Sequence, residues 1–583
     1  MSRKVRLGGA SGYWGESDMA WEQFLGPEAP ELDYIVFDYL AEITMSIMAT
    51  MRSRNPDAGY APDFVANLAR WLPEVAARGV KICSNAGGVN PVACAAAVRA
   101  AVAKAGLDLK VSVVTGDDLM DRLDQLAGNR EMFGGEGFPD PEQVQSANAY
   151  LGAFPVAHAL SDGADIVITG RCVDSAVTLG ALIHEFGWGP GDLDALAQGS
   201  LVGHLIECGP QVTGGNFTDW REIADTLVDV GYPIAEVGAD GSCTITKPPG
   251  TGGVVNVGTV SEQMLYEIGD PHAYHLPDVV CNFSQVAIVQ DGPDRVRATG
   301  ARGRGVPEHY KASVTVADGH RLSAIFFMVG EDAPEKARVF FDAALARARA
   351  KLRDRNMADY THAELELTGN GFHFGDSRPA DELAFRISVR HEDPAACTLI
   401  LKEASGFALA TPPGFALFSG ARPKPQAVVR LFSTLVDKAL VDIEVDGEPF
   451  DPPAAPRGLA DASPAEPPAP VEKADTEVPL VRLAWLRSGD KGDKSNIGVI
   501  ARRPEYLPYI WAALSESAVR ERFAHFVQGG IERWYLPGSH SVNILMDEAL
   551  GGGGMASLRN DSQGKSFGQV LARLPVGVPQ SLL

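Results

Sequence analysis

The sequence predicts an α/β protein: a large domain with a mainly parallel sheet flanked by helices plus an α+β subdomain, followed by a small α+β domain. Three observations lead there. Strand-like apolar runs alternate with helical periodicities over residues 1–240, the pattern of a parallel sheet covered by helices. Short alternating strands take over from about Cys243 to Phe450. The stretch Asp451–Val478 then holds seven prolines and no aromatic residue. Such a segment cannot bury enough surface to offset its ordering entropy and reads as a linker. Residues 479–583 are the small domain, and the large domain spans 1–450.

The elements follow in order. Val5–Leu7 runs into glycines, and Asp33–Leu40 reads as a buried strand. Ala61–Arg78 is helical, with Phe64, Leu68, Leu72 and Val75 on one face. VKICSNAGG gives strand then turn, and Pro91–Ala105 an Ala-rich helix opened by proline. LKVSVVTGDD is a strand before a helix start. Tyr150–Ser161 is helical, and ADIVITGRC is a strand into a turn. Beyond residue 240, VVNVGTV, VAIVQ, HYKASVTVAD, RLSAIFFMVG, LELTG and AFRISVRH read as strands. Glu335–Leu352, Pro394–Ser405 and Pro423–Ala439 read as helices. Ligands of parallel sheets sit at the carboxyl ends of the strands, which directs attention to the turns.

Composition narrows the class. A chain of 583 residues exceeds one ordinary domain of roughly 150 residues. A net charge of −24 argues against nucleic-acid binding, which draws on Lys and Arg to neutralise phosphates. It argues equally against docking on an anionic membrane. The N-terminus lacks the apolar core of a signal peptide, and no window approaches the roughly 18 apolar residues of a membrane span. The expected location is the cytoplasm. The charge is uneven: residues 479–583 carry 12 basic and 9 acidic side chains, a net of +3, which leaves −27 on the rest. A basic tail domain can dock on an acidic body or bring cations to an anionic ligand. The seven cysteines form no C-x-x-C and read as buried thiols. No H-E-x-x-H occurs and His272 and His275 have no evident partners, so no metal site is expected. A G-x-S-x-G elbow is absent as well.

Five loops carry candidate chemistry. GGASGYWG, from Gly8, offers backbone amides at a strand-to-helix turn, with Gly8, Gly9, Ser11 and Gly12 as anion contacts. In SNAGGVNP, Asn85 is a donor to an oxyanion and Gly87 and Gly88 expose amides; the alternative is helix capping. In TGRCVDSA, Arg171 offers a fork for a carboxylate or phosphate, and Asp174 a base or a cap. In ECGPQVTGGNF, Gln211 and Thr213 are substrate contacts, while Cys208 is a nucleophile only if a cation lowers its pKa. RSGDKGDKSNIG repeats Gly-Asp-Lys, so that Asp490, Lys491, Asp493 and Lys494 would converge on one loop. Asn85, Asp174, Asp490 and Lys491 are assigned to chemistry, and Arg171, Asp493 and Lys494 to binding. His540 is a further candidate acid or base.

These segments, with DYIVFDYLAE and in this order, resemble the acyclic terpene utilisation protein A family over almost the whole chain. The resemblance implies a ferredoxin-like fold for the tail domain. It also implies a place in the breakdown of citronellol- and geraniol-type terpenoids, with cleavage of 3-hydroxy-3-isohexenylglutaryl-CoA to acetate and a shorter acyl-CoA. The expected activity is thus a lyase or hydratase acting on an acyl-CoA ester. No cofactor is expected beyond coenzyme A as part of the substrate. The alternatives are thioester or amide hydrolysis through Cys208, Ser175 or water, and a non-catalytic subunit that binds CoA esters. The partner is a small anionic substrate, with no nucleic acid or membrane, and the chain is expected to form a homo-oligomer.

Overall fold

The computed structural model describes residues 3–417, 422–456, 458–462 and 464–583. Eight early strands organise it: β1 Val5–Gly9, β2 Tyr34–Phe37, β3 Lys81–Ser84, β4 Val111–Thr115, β5 Val144–Ala149, β6 Ile166–Thr169, β7 Ile234–Val237 and β8 Cys243–Thr246. The first sheet contains the order β8-β7-β1-β2-β3-β6-β4. From β1 to β4 every neighbour is parallel. β7 and β8 extend one edge in antiparallel fashion. The parallel strands are almost wholly buried, as a sheet covered on both faces requires. Pro62–Arg78 buries Phe64, Leu68, Leu72 and Val75 on one face of it. Ala176–Phe186 and Leu193–Ile206 fill the other.

β5 leaves this sheet. It pairs with the 21-residue strand His309–Val329, the spine of a second sheet. The far half of that spine pairs with Glu382–His391, and helices Ala333–Asp354 and Pro394–Gly406 cover it. Residues 1–240 and 241–450 are therefore interleaved rather than sequential units.

Two readings are corrected. Pro423–Ala439 is not a helix: Gln426–Asp437 is a strand along the near half of the spine. Its apolar residues fit both periods, and pairing with the spine decides in favour of the β-branched and aromatic side chains. VVNVGTV is not a strand, because Asn256 caps the helix Val257–Met264, its Oδ1 accepting the Thr259 N–H at 2.9 Å.

In the tail domain Ala484–Lys491, Lys494–Ala501, Ser541–Met546 and Ile531–Leu536 form an antiparallel sheet in that spatial order. Thr476–Pro479 pairs with Pro575–Val578, so the ordered domain begins slightly before residue 479. The tail sheet packs on residues 258–269 of the body. Asn496 Nδ2 donates to the Leu265 carbonyl at 2.6 Å, and Asn543 Nδ2 to that of Ile268 at 2.8 Å. Arg502 donates to both oxygens of Asp219, and Trp485 Nε1 adds a third bond at 2.7 Å. Of the linker, Arg457 and Ser463 lie outside the described residues. No helix among the described residues is long and apolar enough to cross a membrane.

Candidate active site

Because β1, β2, β3, β6 and β4 run parallel, their carboxyl ends open on one side. The residues that follow them there are Asp38, Asn85, Arg171 and Asp117. Asn85 is fully buried; its Oδ1 accepts the Tyr39 N–H at 2.8 Å and its Nδ2 donates to Asp38. Burial, and after it the charge of Asp174, pushes the Asp38 pKa well up, against the pull of Arg171. Asp117 Oδ2 accepts the Arg171 N–H and Asn148 Nδ2, both at 2.8 Å, and burial lifts its pKa to about 7. Arg171, 3 % exposed, lies 4.1 Å over the Tyr150 ring and donates to the Leu40 carbonyl at 2.7 Å and to Asp174 at 3.0 Å. Asp174 is thereby aimed outward from a rigid base.

It faces a cavity of about 720 Å³. Asp174 and Ser175 form one side, and His204 and Glu207, from the end of the helix Leu193–Ile206, form the next. Tyr150, Tyr274 and Lys311 contribute from the body, and Lys491 and Lys494 from the tail domain. Phe133, Val173, Leu276, Val306, Leu435 and Leu545 supply apolar wall, and Gly458 and Leu459 of the linker complete it.

His204 and Glu207 form a tight pair. His204 Nδ1 lies 2.9 Å from Glu207 Oε1, and its Nε2 lies 3.2 Å from the Met264 carbonyl. Both ring nitrogens therefore face oxygen acceptors, an arrangement that a second ring proton satisfies. Burial alone would lower the His204 pKa, but the Glu207 charge outweighs it and the net direction is up. Burial raises Glu207 to about 7, with Asp174 and Glu267 reinforcing it and His204 opposing. The pair brings an imidazole and a carboxyl, both with raised pKa, together at the cavity wall, an arrangement found at acid–base sites.

The sequence candidates divide. Asp174, Lys491 and Lys494 meet at the cavity, with Arg171 behind Asp174. The Gly-Asp-Lys repeat is not a loop but the end of a hairpin, Lys491 opposite Lys494 across Gly492 and Asp493. Strand alternation separates its charges instead of converging them. Lys491 lies 5.6 Å from the Tyr274 ring centre, and Lys494 pairs with Asp547 at 2.7 Å. Asp490 accepts from Lys565 at 3.0 Å, and Asp493 Oδ1 accepts the Leu550 and Gly552 N–H groups at 3.0 and 2.8 Å. Neither aspartate lines the cavity.

Nor does Asn85, whose amide is spent on Asp38 and Tyr39. The glycines serve close packing. A β-carbon on Gly8 would meet the Phe24 ring at 2.8 Å, and one on Gly9 the Ile206 carbonyl at 2.4 Å. On Gly12 it would meet Cys208 at 2.9 Å, on Gly87 the Thr169 carbonyl at 2.4 Å, and on Gly88 the Met48 sulfur. The first turn is already closed by the chain's own carboxylate: Glu16 accepts the Gly12 N–H at 2.7 Å and lies 3.5 Å from the Ser11 hydroxyl. Thr213 donates to the Pro210 carbonyl at 3.0 Å, Gln211 faces Asn216, and neither lines the cavity. Burial and the Glu207 charge hold the Cys208 thiol well above its ordinary pKa, the reverse of nucleophile activation. His540 is exposed in a turn of the tail sheet.

His204 and Glu207 escaped the sequence reading as a pair, since Leu201, Val202, Leu205 and Ile206 make His204 look like a core residue. The signal was the i, i+3 spacing at a helix end. Tyr150, Tyr274 and Lys311 had none, because distant segments bring them in.

The fold and cavity define a two-part protein, an α/β body whose cavity is walled in part by a small α+β tail. The chain belongs to the acyclic terpene utilisation family AtuA, whose model matches residues 5–446, and the AtuA ferredoxin-like domain matches residues 478–577. No curated protein matches the sequence.

Proposed function

We propose that the protein is an enzyme of acyclic terpenoid or related branched-acid catabolism that cleaves an anionic acyl-CoA ester as a lyase. The observation that carries this reading is the meeting of the His204–Glu207 pair with Lys491 and Lys494 in a cavity with an apolar wall. An apolar wall suits a branched isoprenoid chain, and paired lysines suit a free carboxylate. The substrate class is a 3-hydroxy-3-alkylglutaryl-CoA. Glu207 takes the proton of the 3-hydroxyl, C3=O forms, and the bond from C3 to the carboxymethyl carbon breaks. The released electron pair is held as an enediolate beside the lysines and collects that proton back from the Glu207 carboxyl, giving acetate and a 3-oxoacyl-CoA. His204, 2.9 Å away, steadies the Glu207 carboxylate before and after the step. Lysine charge next to the developing enediolate charge supplies electrostatic stabilisation.

The test is incubation of the purified protein with 3-hydroxy-3-isohexenylglutaryl-CoA, with products read by mass spectrometry. Acetate and the 3-oxoacyl-CoA are expected, with turnover about 10²–10⁴-fold lower in Glu207→Gln. A product differing from substrate by the mass of one water assigns a hydratase instead. Intact substrate, or undiminished turnover in Glu207→Gln, overturns the reading.

A further inference from the structure

A second cavity, of about 810 Å³, lies where the second sheet meets the tail domain. Its lining includes Asn370, Phe374, Arg378, Arg386, Asn560 and Arg573, none of them shared with the His204 cavity. Two carboxylates line it, and both are engaged. Glu366, 3 % exposed, takes Arg386 at 3.3 Å and the Asn560 N–H at 2.8 Å, and Asp376 takes Arg378. Arg573 lies 3.7 Å over the Phe374 ring, which leaves the lining with an excess of guanidinium over carboxylate.

Asn370 is 3 % exposed. Its Oδ1 accepts the Phe372 N–H at 3.2 Å, but its Nδ2 has no hydrogen-bond partner. Arg386 Nε is unpartnered as well. A buried donor without a partner has lost its water and gained nothing in return, so two such donors beside one cavity call for an acceptor. Both unmet groups are N–H donors, and the lining carries one more guanidinium than carboxylate.

We propose that this cavity is a second binding site, for a small organic anion whose carboxylate or phosphate oxygens take the hydrogen bonds of Asn370 Nδ2 and Arg386 Nε. Arg573 and Arg378 line the same cavity and add positive charge to it. The guanidinium fork suits either oxygen geometry. The site draws on both domains, since Asn560 and Arg573 belong to the tail.

The experiment is calorimetric titration of the full chain with inorganic phosphate and, separately, glutarate. Saturable binding of one probe is expected, and which one binds distinguishes a phosphate ligand from a carboxylate ligand. Asn370→Asp keeps the acceptor for Phe372 but replaces the donor with a like charge, and Arg573→Gln removes a cation from another segment. Each is expected to weaken binding about tenfold or more, whereas Lys491→Met, in the first cavity, leaves it unchanged. Thermal melting checks that each variant is folded. No saturable binding of either probe, or binding that survives both Asn370→Asp and Arg573→Gln, overturns the proposal. So does binding that falls only with Lys491→Met.

Discussion

At the scale of single residues, buried carboxyl groups set the behaviour with pH. Glu262 lies on the helix under the tail domain, where its Oε1 accepts the Thr218 N–H at 3.1 Å. Burial pushes its pKa to about 8, against this bond. An unfolded glutamate titrates at about 4.3. The folded group is raised, so its contribution is full below that value and is lost as pH rises through about 8. The loss is about 1 kcal/mol per pH unit across that interval. Glu262→Gln keeps the acceptor and removes the titration. Urea unfolding at pH 5.5 and pH 8 is expected to show the variant gaining on the parent as pH rises. The His204–Glu207 pair behaves differently, since each partner stabilises the charged form of the other. Glu207→Gln removes the opposing charge, so the His204 ring should titrate at lower pH than in the parent, a shift that NMR of the imidazole protons reads. That Asp174 and Lys491 stand at the cavity was legible because glycines and strand ends flagged their segments. The pair was not, because a histidine among leucines and isoleucines carries no local mark.

At the scale of elements, the hairpin of the tail domain does the sorting. Lys491 and Lys494 sit opposite each other across a two-residue turn, and like charges in register repel. Asp547 offsets this for Lys494, and the Tyr274 ring lies near Lys491. Lys491→Met should therefore raise KM for an anionic substrate about tenfold or more, with a smaller effect on the melting temperature. Asp490→Asn should do the opposite, lowering stability with little change in KM, because its partner is Lys565 rather than the cavity. Steady-state kinetics and thermal melting on the two variants separate these roles. The repeated Gly-Asp-Lys was visible in sequence, but whether it formed a loop or a ladder depended on Lys494–Ala501 finding Ser541–Met546. Gln426–Asp437 repeats the lesson: its period was ambiguous, and the spine His309–Val329, over a hundred residues earlier, resolved it. Pro91–Ala105 was legible throughout, since proline, Asn90 and Gly106 mark its ends locally.

At the scale of the whole molecule, the +3 tail and the −27 remainder of the chain meet as the charge partition suggests, though through few ion pairs. Asp219 is the anchor: Arg502 holds both its oxygens, and Arg502 with Trp485 keeps its carboxyl below the ordinary range. Asp219→Ala leaves two donors without an acceptor. It should cost about 1–3 kcal/mol in stability and, by loosening the lysine-bearing hairpin, raise KM. Melting and kinetics together check this, and a loss of stability without a change in KM would detach docking from binding. The stretch between the domains is more than a tether. The Ala460 N–H reaches the Arg304 carbonyl at 2.6 Å, Arg304 Nε returns a bond at 2.8 Å, and Leu459 beside them lines the cavity. Splitting this gene in two would therefore not be neutral at every codon. A break after position 460 leaves the larger product with its chamber closed on that side, whereas one a few residues earlier hands part of the wall to the other polypeptide.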